Sequence, residues 1–236
     1  MTLHDLARDA VAAHDPAFQD PAFQDPASQD AASQDLQAEL LSLLLGNKKE
    51  VFAPATVRRA PRDGRLPASS AQQRLWFLDR LHGANATYSV PFALRIDGDL
   101  RVPALRAALQ DLVDRHEMLR STFADEDDEL VLRIADRLPL DVPCVEHHGQ
   151  APEEAEQHVL AEIAAAARIP FALTGGPLIR AAVHRTAPTR HYLFINFHHT
   201  VTDGWSEGVF ARELWQLYDG HVSGTPAALP ALPLQY

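Results

Sequence analysis

Between positions 102 and 116 the apolar residues fall at Leu105, Ala108, Leu109, Leu112 and Val113, with His116 continuing the series. That i, i+3, i+4, i+7 spacing predicts a helix with one core-facing stripe, and Pro103 suits its first turn, where no backbone N–H has to be given up. Three more helices are predicted by the same reasoning. Ser69-x-x-Gln72 and Ser70-x-x-Gln73 are capping-box patterns that open a helix through Leu81, with Leu75, Leu78 and Trp76 turned inward. Pro152 opens another, with Glu153, Glu154 and Glu156 near its positive end, Val159, Leu160, Ile163 and Ala167 to pack, and Pro170 beyond its close. The last runs from Ser206 to Asp219, with Val209, Phe210, Glu213, Leu214 and Leu217 on its inner face and Gly220 as its stop.

Strand patterns lie between these helices. Tyr88 to Ile96 reads as one, turned by Asp97-Gly98; Ser121 to Phe123 and Leu130 to Ile134 read as a hairpin whose acidic tip, residues 124–129, is expected to stay in solvent. Pro177 to Arg185 and His191 to Phe197 are short, apolar and close in sequence, which predicts two neighbouring strands, the second buried on both faces. After the last helix, Leu229-Pro-Ala-Leu-Pro-Leu-Gln-Tyr236 is expected to leave in an extended form stiffened by proline. Strands alternating with amphipathic helices predict an α/β or α+β sandwich, a mixed β-sheet flanked by helices, over residues 66–236.

The first 65 residues have a different texture. After an N-terminal segment, 1–14, residues 15–35 repeat DPAFQ-DPAFQ-DPASQ-DAASQ-D, with Pro16, Pro21 and Pro26 spaced to break any helix, and read as a flexible linker. Residues 36–65 form a short helix, Leu36 to Leu45, and a lead-in; the leucine-rich helix is either a lid on the core or a docking element for another chain. The whole chain of 236 residues carries 21 Lys and Arg against 32 Asp and Glu, a net charge of −11, with 46% hydrophobic positions. Such a balance excludes collagen-like, mucin-like and fully disordered classes, and an acidic surface without a basic cluster argues against nucleic acid as a partner. Cys144 is the single cysteine, so no intramolecular disulfide and no cysteine-based zinc site can form, which fits a reducing cytoplasm. No run approaches the roughly 18 apolar residues of a membrane span, and the first residues lack the basic and apolar regions of an export signal.

The sharpest candidate for chemistry is Phe197-His-His-Thr-Val-Thr-Asp-Gly-Trp-Ser206, between a buried strand and a helix. Side chains alternate across a strand, so His198 and His199 point to opposite sides: one acts, the other supports. Asp203 can accept hydrogen bonds or pair with an arginine, and Gly204 lets another backbone approach. Taken alone, a histidine pair in this position is explained as well by packing and hydrogen bonding as by catalysis. Metal binding is not predicted, since adjacent strand histidines diverge and no third ligand stands at a suitable spacing. His147-His148 reads as surface loop, and Cys144 as a half-buried residue without an activating neighbour.

Three ordered segments then carry a resemblance. Ser69-Ser-Ala-Gln-Gln-Arg-Leu-Trp-Phe-Leu78, Arg115-His-Glu-Met-Leu-Arg-Ser-Thr-Phe123 and His198-His-Thr-Val-Thr-Asp-Gly-Trp-Ser206 resemble the first three core motifs of condensation domains from nonribosomal peptide synthetases. Ala86-Thr-Tyr-Ser-Val-Pro91, Pro170-Phe-Ala-Leu-Thr-Gly-Gly-Pro-Leu-Ile-Arg180 and the lead-in Arg59-Ala-Pro-Arg-Asp-Gly64 agree with it. The resemblance implies a chloramphenicol acetyltransferase-like lobe and peptide-bond formation between a thioester donor and an amine acceptor. Both substrates would ride on the phosphopantetheine arms of partner carrier proteins, and the domain would hold no cofactor of its own. It makes His199 the catalytic residue, as general base or as amine-positioning group, with His198 supporting it. Asp203 becomes a structural partner of an arginine, Arg115 and Arg120 become structural, and the Gly204 turn a source of oxyanion-binding N–H. The intact Asp203-Gly204 and the neighbouring segments resemble the subtype joining an L-donor to an L-acceptor.

The family's module has two such lobes with the reaction tunnel between them, and the resemblance here ends with the first. The expectation is therefore an N-terminal lobe that is inactive alone and works with a second lobe or other synthetase modules; the alternative is a non-catalytic remnant or docking module. Some of Phe194, Trp205, Phe210 and Trp215 are expected to face the site of closure.

Overall fold

The computed structural model describes residues 65–236 apart from positions 84, 128, 148 and 150; the predicted linker, the leucine-rich helix and the lead-in to residue 64 lie outside them. Along the chain run β1 (Leu66–Pro67), α1 (Ser70–His82), β2 (Ser89–Asp97), α2 (Val102–Arg115), a 3-10 turn (Glu117–Arg120), β3 (Ser121–Glu126) and β4 (Glu129–Ile134). There follow β5 (Cys144–Glu146), α3 (Pro152–Ala167), β6 (Ile179–Ala187), β7 (Arg190–His198) and α4 (Gly204–Ser223).

The strands make two sheets, in the orders β2-β7-β6-β5 and β1-β4-β3. Only β5 runs parallel to its neighbour, so the larger sheet is mixed, as expected. Alternation along β7 sends Leu193, Ile195 and Phe197 into the main core, with Leu105, Leu109 and Leu112 of α2 and Leu214 of α4. Tyr192 and Phe194 point the other way, onto Val159 and Ile163 of α3. The strand predicted to be buried on both faces thus lies between two helical layers.

Several local expectations need correction. The stripe of α1 enters the core only in part: Gln72 is its one fully buried residue, Leu75, Trp76 and Leu78 are half-buried with Trp76 packed against the core, and Phe77 and Leu81 are 63% and 64% exposed. Helix α4 passes Gly220 and stops at Gly224, whose φ of 73° supplies the left-handed turn. Gly220 is needed for another reason: a Cβ there would come within 2.9 Å of the Thr225 carbonyl oxygen, where the chain folds back along the helix. That tail does not leave the fold. Gln235 Nε2 donates to the Arg115 carbonyl, its Oε1 accepts from Glu117 N, and Tyr236 reaches Ser69. The acidic hairpin is exposed but not merely solvated, since Asp125 pairs with Arg80 at 3.1 Å and Glu126 with Arg133. Strand β5 had no sequence signal, being three residues long. Of the four aromatic residues expected at an open face, Phe194 is buried and Trp205 is 85% exposed, with Phe210 and Trp215 between.

Candidate active site

Strand β7 delivers the histidine pair to the edge of the fold. The N–H of His198 still donates to Leu178 O at 3.0 Å and that of His199 to Tyr88 O at 2.8 Å, so both residues are held by the flanking strand ends. Their side chains then part. His198 is 2% exposed, with its ring edge-on to those of Tyr88 and Phe171. Its Nδ1 accepts from Thr200 N at 3.2 Å and lies 2.9 Å from Thr200 Oγ1, which leaves the ring proton on Nε2. Burial, and secondly the repulsion from His199 whenever that ring is protonated, pull its pKa down to about 4, so it is neutral near pH 7.

His199 is exposed. Its Nδ1 lies 2.9 Å from the Thr202 carbonyl oxygen, an acceptor, so Nδ1 carries the proton and donates it. The Nε2 lone pair is then the end of the ring without a hydrogen-bond partner among the described residues. This is the tautomer a general base requires.

The loop itself is anchored from α1. Gln72, 3% exposed, donates from Nε2 to the Thr200 carbonyl at 3.1 Å, while its Oε1 accepts from Ser69 N at 2.9 Å. Sequence reasoning read Gln72 as a capping residue only; it is also the direct link between the first motif and the third. No pattern within one helix marks a side chain that reaches 128 positions along the chain.

Asp203 corrects an expectation. Among the described residues its bonds go to Ser206, from N at 2.8 Å and from Oγ at 2.5 Å, and no arginine pairs with it. It is the N-cap of α4, and those hydrogen bonds hold its carboxyl below the usual carboxylate range. Gly204 is the first residue of that helix, and a Cβ there would meet nothing within 4 Å of this lobe. Glu207, one turn on, was not singled out in the sequence. Burial raises its carboxyl and His199 opposes the rise, so it belongs to the electrostatic surroundings of the site. The i, i+4 spacing from Asp203 was the available signal.

Arg115 and Arg120 bond elsewhere. Arg115 Nε donates to Glu213 Oε2 at 3.0 Å, and His116 Nε2 sits 2.7 Å from the same oxygen. Burial of Glu213 would raise its pKa, but the bonds from His116 and Arg115 prevail and lower it. This cluster ties the end of α2 to α4. Arg120 reaches the carbonyl oxygens of Ala135 and Asp114, fixing the turn between α2 and β3.

A mixed sheet backed by helices on both faces, with a histidine pair at the end of a central strand, defines a lobe of the chloramphenicol acetyltransferase-like class. Within that class the chain belongs to the condensation-domain family, whose description, Condensation domain, matches residues 62–236. It is 42% identical over 195 residues to a linear gramicidin synthase of Brevibacillus parabrevis, covering 83% of this chain and 2% of that protein. To chondramide synthase cmdD of Chondromyces crocatus it is 41% identical over 193 residues, 82% of this chain and 5% of that protein. Among solved structures, the starter condensation domain of rhizomide synthetase RzmA superposes with a TM-score of 0.66 at 26% identity, covering 72% of this chain and 41% of that one. The X-domain in its complex with OxyB from teicoplanin biosynthesis gives 0.67 at 29%, covering 76% and 37%. The chain therefore spans a small part of the synthetases it matches and about two fifths of the solved RzmA domain.

Proposed function

We propose that this lobe forms one wall of a site that makes peptide bonds in nonribosomal peptide synthesis, with His199 as its catalytic residue. The observation that carries the reading is the tautomer of His199: Nδ1–H bound to the Thr202 carbonyl, Nε2 free and exposed. The acceptor amine attacks the thioester carbon and forms the C–N bond, and the carbonyl π electrons move onto oxygen. His199 Nε2 takes the proton from the resulting ammonium. The tetrahedral species collapses, the C–S bond breaks, and the thiolate leaves with a proton returned from His199, so amide and thiol are the products. An α-amine of ordinary pKa, about 7.7 to 8.0, is already partly neutral, so orientation by His199 contributes beside proton transfer. Asp203 engages the N–H groups of Trp205 and Ser206 with its side chain and that of Glu207 with its carbonyl, and we assign the remaining first-turn donor, the N–H of Gly204, to the oxyanion.

Both substrates would arrive on phosphopantetheine arms of carrier proteins in the cytoplasm, with L-configured donor and acceptor residues. Because His199 is exposed here, water is excluded only when a second surface closes over it; this lobe alone is expected to be inactive. With a complementary second lobe and loaded donor and acceptor carriers, His199→Ala should lower product formation at least roughly a hundredfold while its circular dichroism is unchanged. Condensation at the wild-type rate would refute the assignment. The likeness to an X-domain found in complex with another protein supports a second reading, a docking module. Retained partner binding without any condensation, indifferent to His199→Ala, would favour that reading instead.

A further inference from the structure

A second histidine cluster lies away from His199 and has no part in the proposed reaction. His184 stands on β6 opposite Tyr192, six positions from His198 along β7, or about 20 Å at the rise of a strand. Its side chain shares the α3-covered face with Ala182. His147 follows β5 and is fixed beside His184 by its N–H to Arg185 O, 2.9 Å. His158 and Glu162 are one turn apart on α3 and project to the same side. The loop reading of His147 is thus corrected: its side chain is 6% exposed, as buried as that of His184 at 7%.

The donor atoms meet at close quarters. His147 Nε2 is 3.2 Å from His184 Nδ1; Glu162 Oε2 is 3.2 Å from His184 Nδ1 and 3.5 Å from His147 Nε2. His158 Nε2 is 3.3 Å from Glu162 Oε1, and the ligand atoms of His147, His158 and Glu162 all fall within 4.8 Å of one another. Tetrahedral bonds of 2.0–2.1 Å to nitrogen and oxygen place neighbouring ligand atoms about 3.3 Å apart. The triangle of His147, His184 and Glu162 has the dimensions of one face of such a tetrahedron. His158, half exposed, stands at the open corner with its ring edge-on to that of His147.

We propose that His147, His158, Glu162 and His184 form a binding site for a divalent transition metal, Zn2+ foremost, that clamps α3 to the β5–β6 edge of the large sheet. Imidazoles beside one carboxylate suit zinc, cobalt, nickel and copper; magnesium and calcium want oxygen. Four protein ligands leave no open position, so the site is structural. Three consecutive elements, β5, α3 and β6, are joined at one point, including the short β5, which has little apolar area of its own.

The test uses the full chain without a histidine tag, stripped with a chelator. Co2+ should bind one to one with the visible absorption of a tetrahedral nitrogen and oxygen site, Zn2+ should displace it, and Zn2+ should raise the thermal midpoint. His158→Ala, exposed enough to fold normally, should weaken Co2+ binding at least about tenfold, and Glu162→Gln should abolish the tetrahedral band. His199→Ala should leave the band unchanged. The proposal is overturned by absence of the band, or by a band and thermal shift that survive in both His158→Ala and Glu162→Gln. In either case the four side chains are joined by protons alone, and any bound metal sits among the other histidines of the twelve.

Discussion

Acid should destabilise this protein through one imidazole in particular. His198 is sealed between Tyr88 and Phe171, and its Nδ1 already accepts the Thr200 N–H, so the charged form loses solvation, and a proton on Nδ1 would break that bond. Its pKa is about 4 in the fold against 6.5 for a free histidine. The unfolded chain therefore takes up the proton first. The contribution to stability is complete above the unfolded value and is lost as the pH falls toward the folded one. Linkage gives a loss of about 2 kcal/mol between about pH 7.5 and about pH 5, rising to about 3 kcal/mol once the pH lies below both values. Burial also lowers the pKa of His184 and His191, so the total acid sensitivity is a sum. The difference between wild type and His198→Asn isolates one contributor, since asparagine keeps an acceptor for Thr200 and does not titrate. Urea unfolding of both proteins at the two pH values should show the variant losing about 2 kcal/mol less than wild type, with equal denaturant slopes. Equal losses would mean that His198 is solvated or already protonated, and would remove the basis for its supporting role.

Three further outcomes follow from particular bonds. Glu213→Ala leaves the Arg115 guanidinium and His116 without their buried acceptor and should cost about 3 to 5 kcal/mol in chemical denaturation; a loss under about 1 kcal/mol would show that water reaches the cluster. Gln72→Ala strips the buried Thr200 carbonyl and Ser69 N of a partner and should cost about 1 to 3 kcal/mol, with faster amide hydrogen exchange confined to the His198–Asp203 loop. Unchanged exchange there would contradict the anchoring role. Asp203→Ala should cost only about 1 kcal/mol, the loss of a helix cap, because its bonds in this lobe are to Ser206 and not to a buried cation. A loss of about 3 kcal/mol or more, on the scale of a broken buried ion pair, would restore an arginine partner.

Most of the architecture was legible because it depends on local periodicity. The stripe of α2, the uninterrupted apolar run of β7 and the capping box at Ser69 each act within one turn or one strand, and the helices and strands they announce are present. The histidine pair was legible for the same reason: alternation along a strand separates His198 from His199 whatever surrounds them. What each histidine became was decided by contacts that no local pattern carries. Tyr88 and Phe171 bury one ring, the Thr202 carbonyl sets the tautomer of the other, and Gln72 crosses from α1 to hold the loop. Helix α4 outran Gly220 because glycine at a helix surface serves close approach as well as termination, and the two uses look alike in sequence. The cluster of His147, His158, Glu162 and His184 shows the same limit at greater range. Only the i, i+4 pair on α3 is visible as a spacing; His147 and His184, 37 positions apart, become neighbours through the parallel pairing of β5 with β6. Hydrophobic pattern and turn chemistry set which segments become helix or strand. Their register and layering then place polar side chains from distant segments within hydrogen-bonding distance, a relation that exists only once the core has closed.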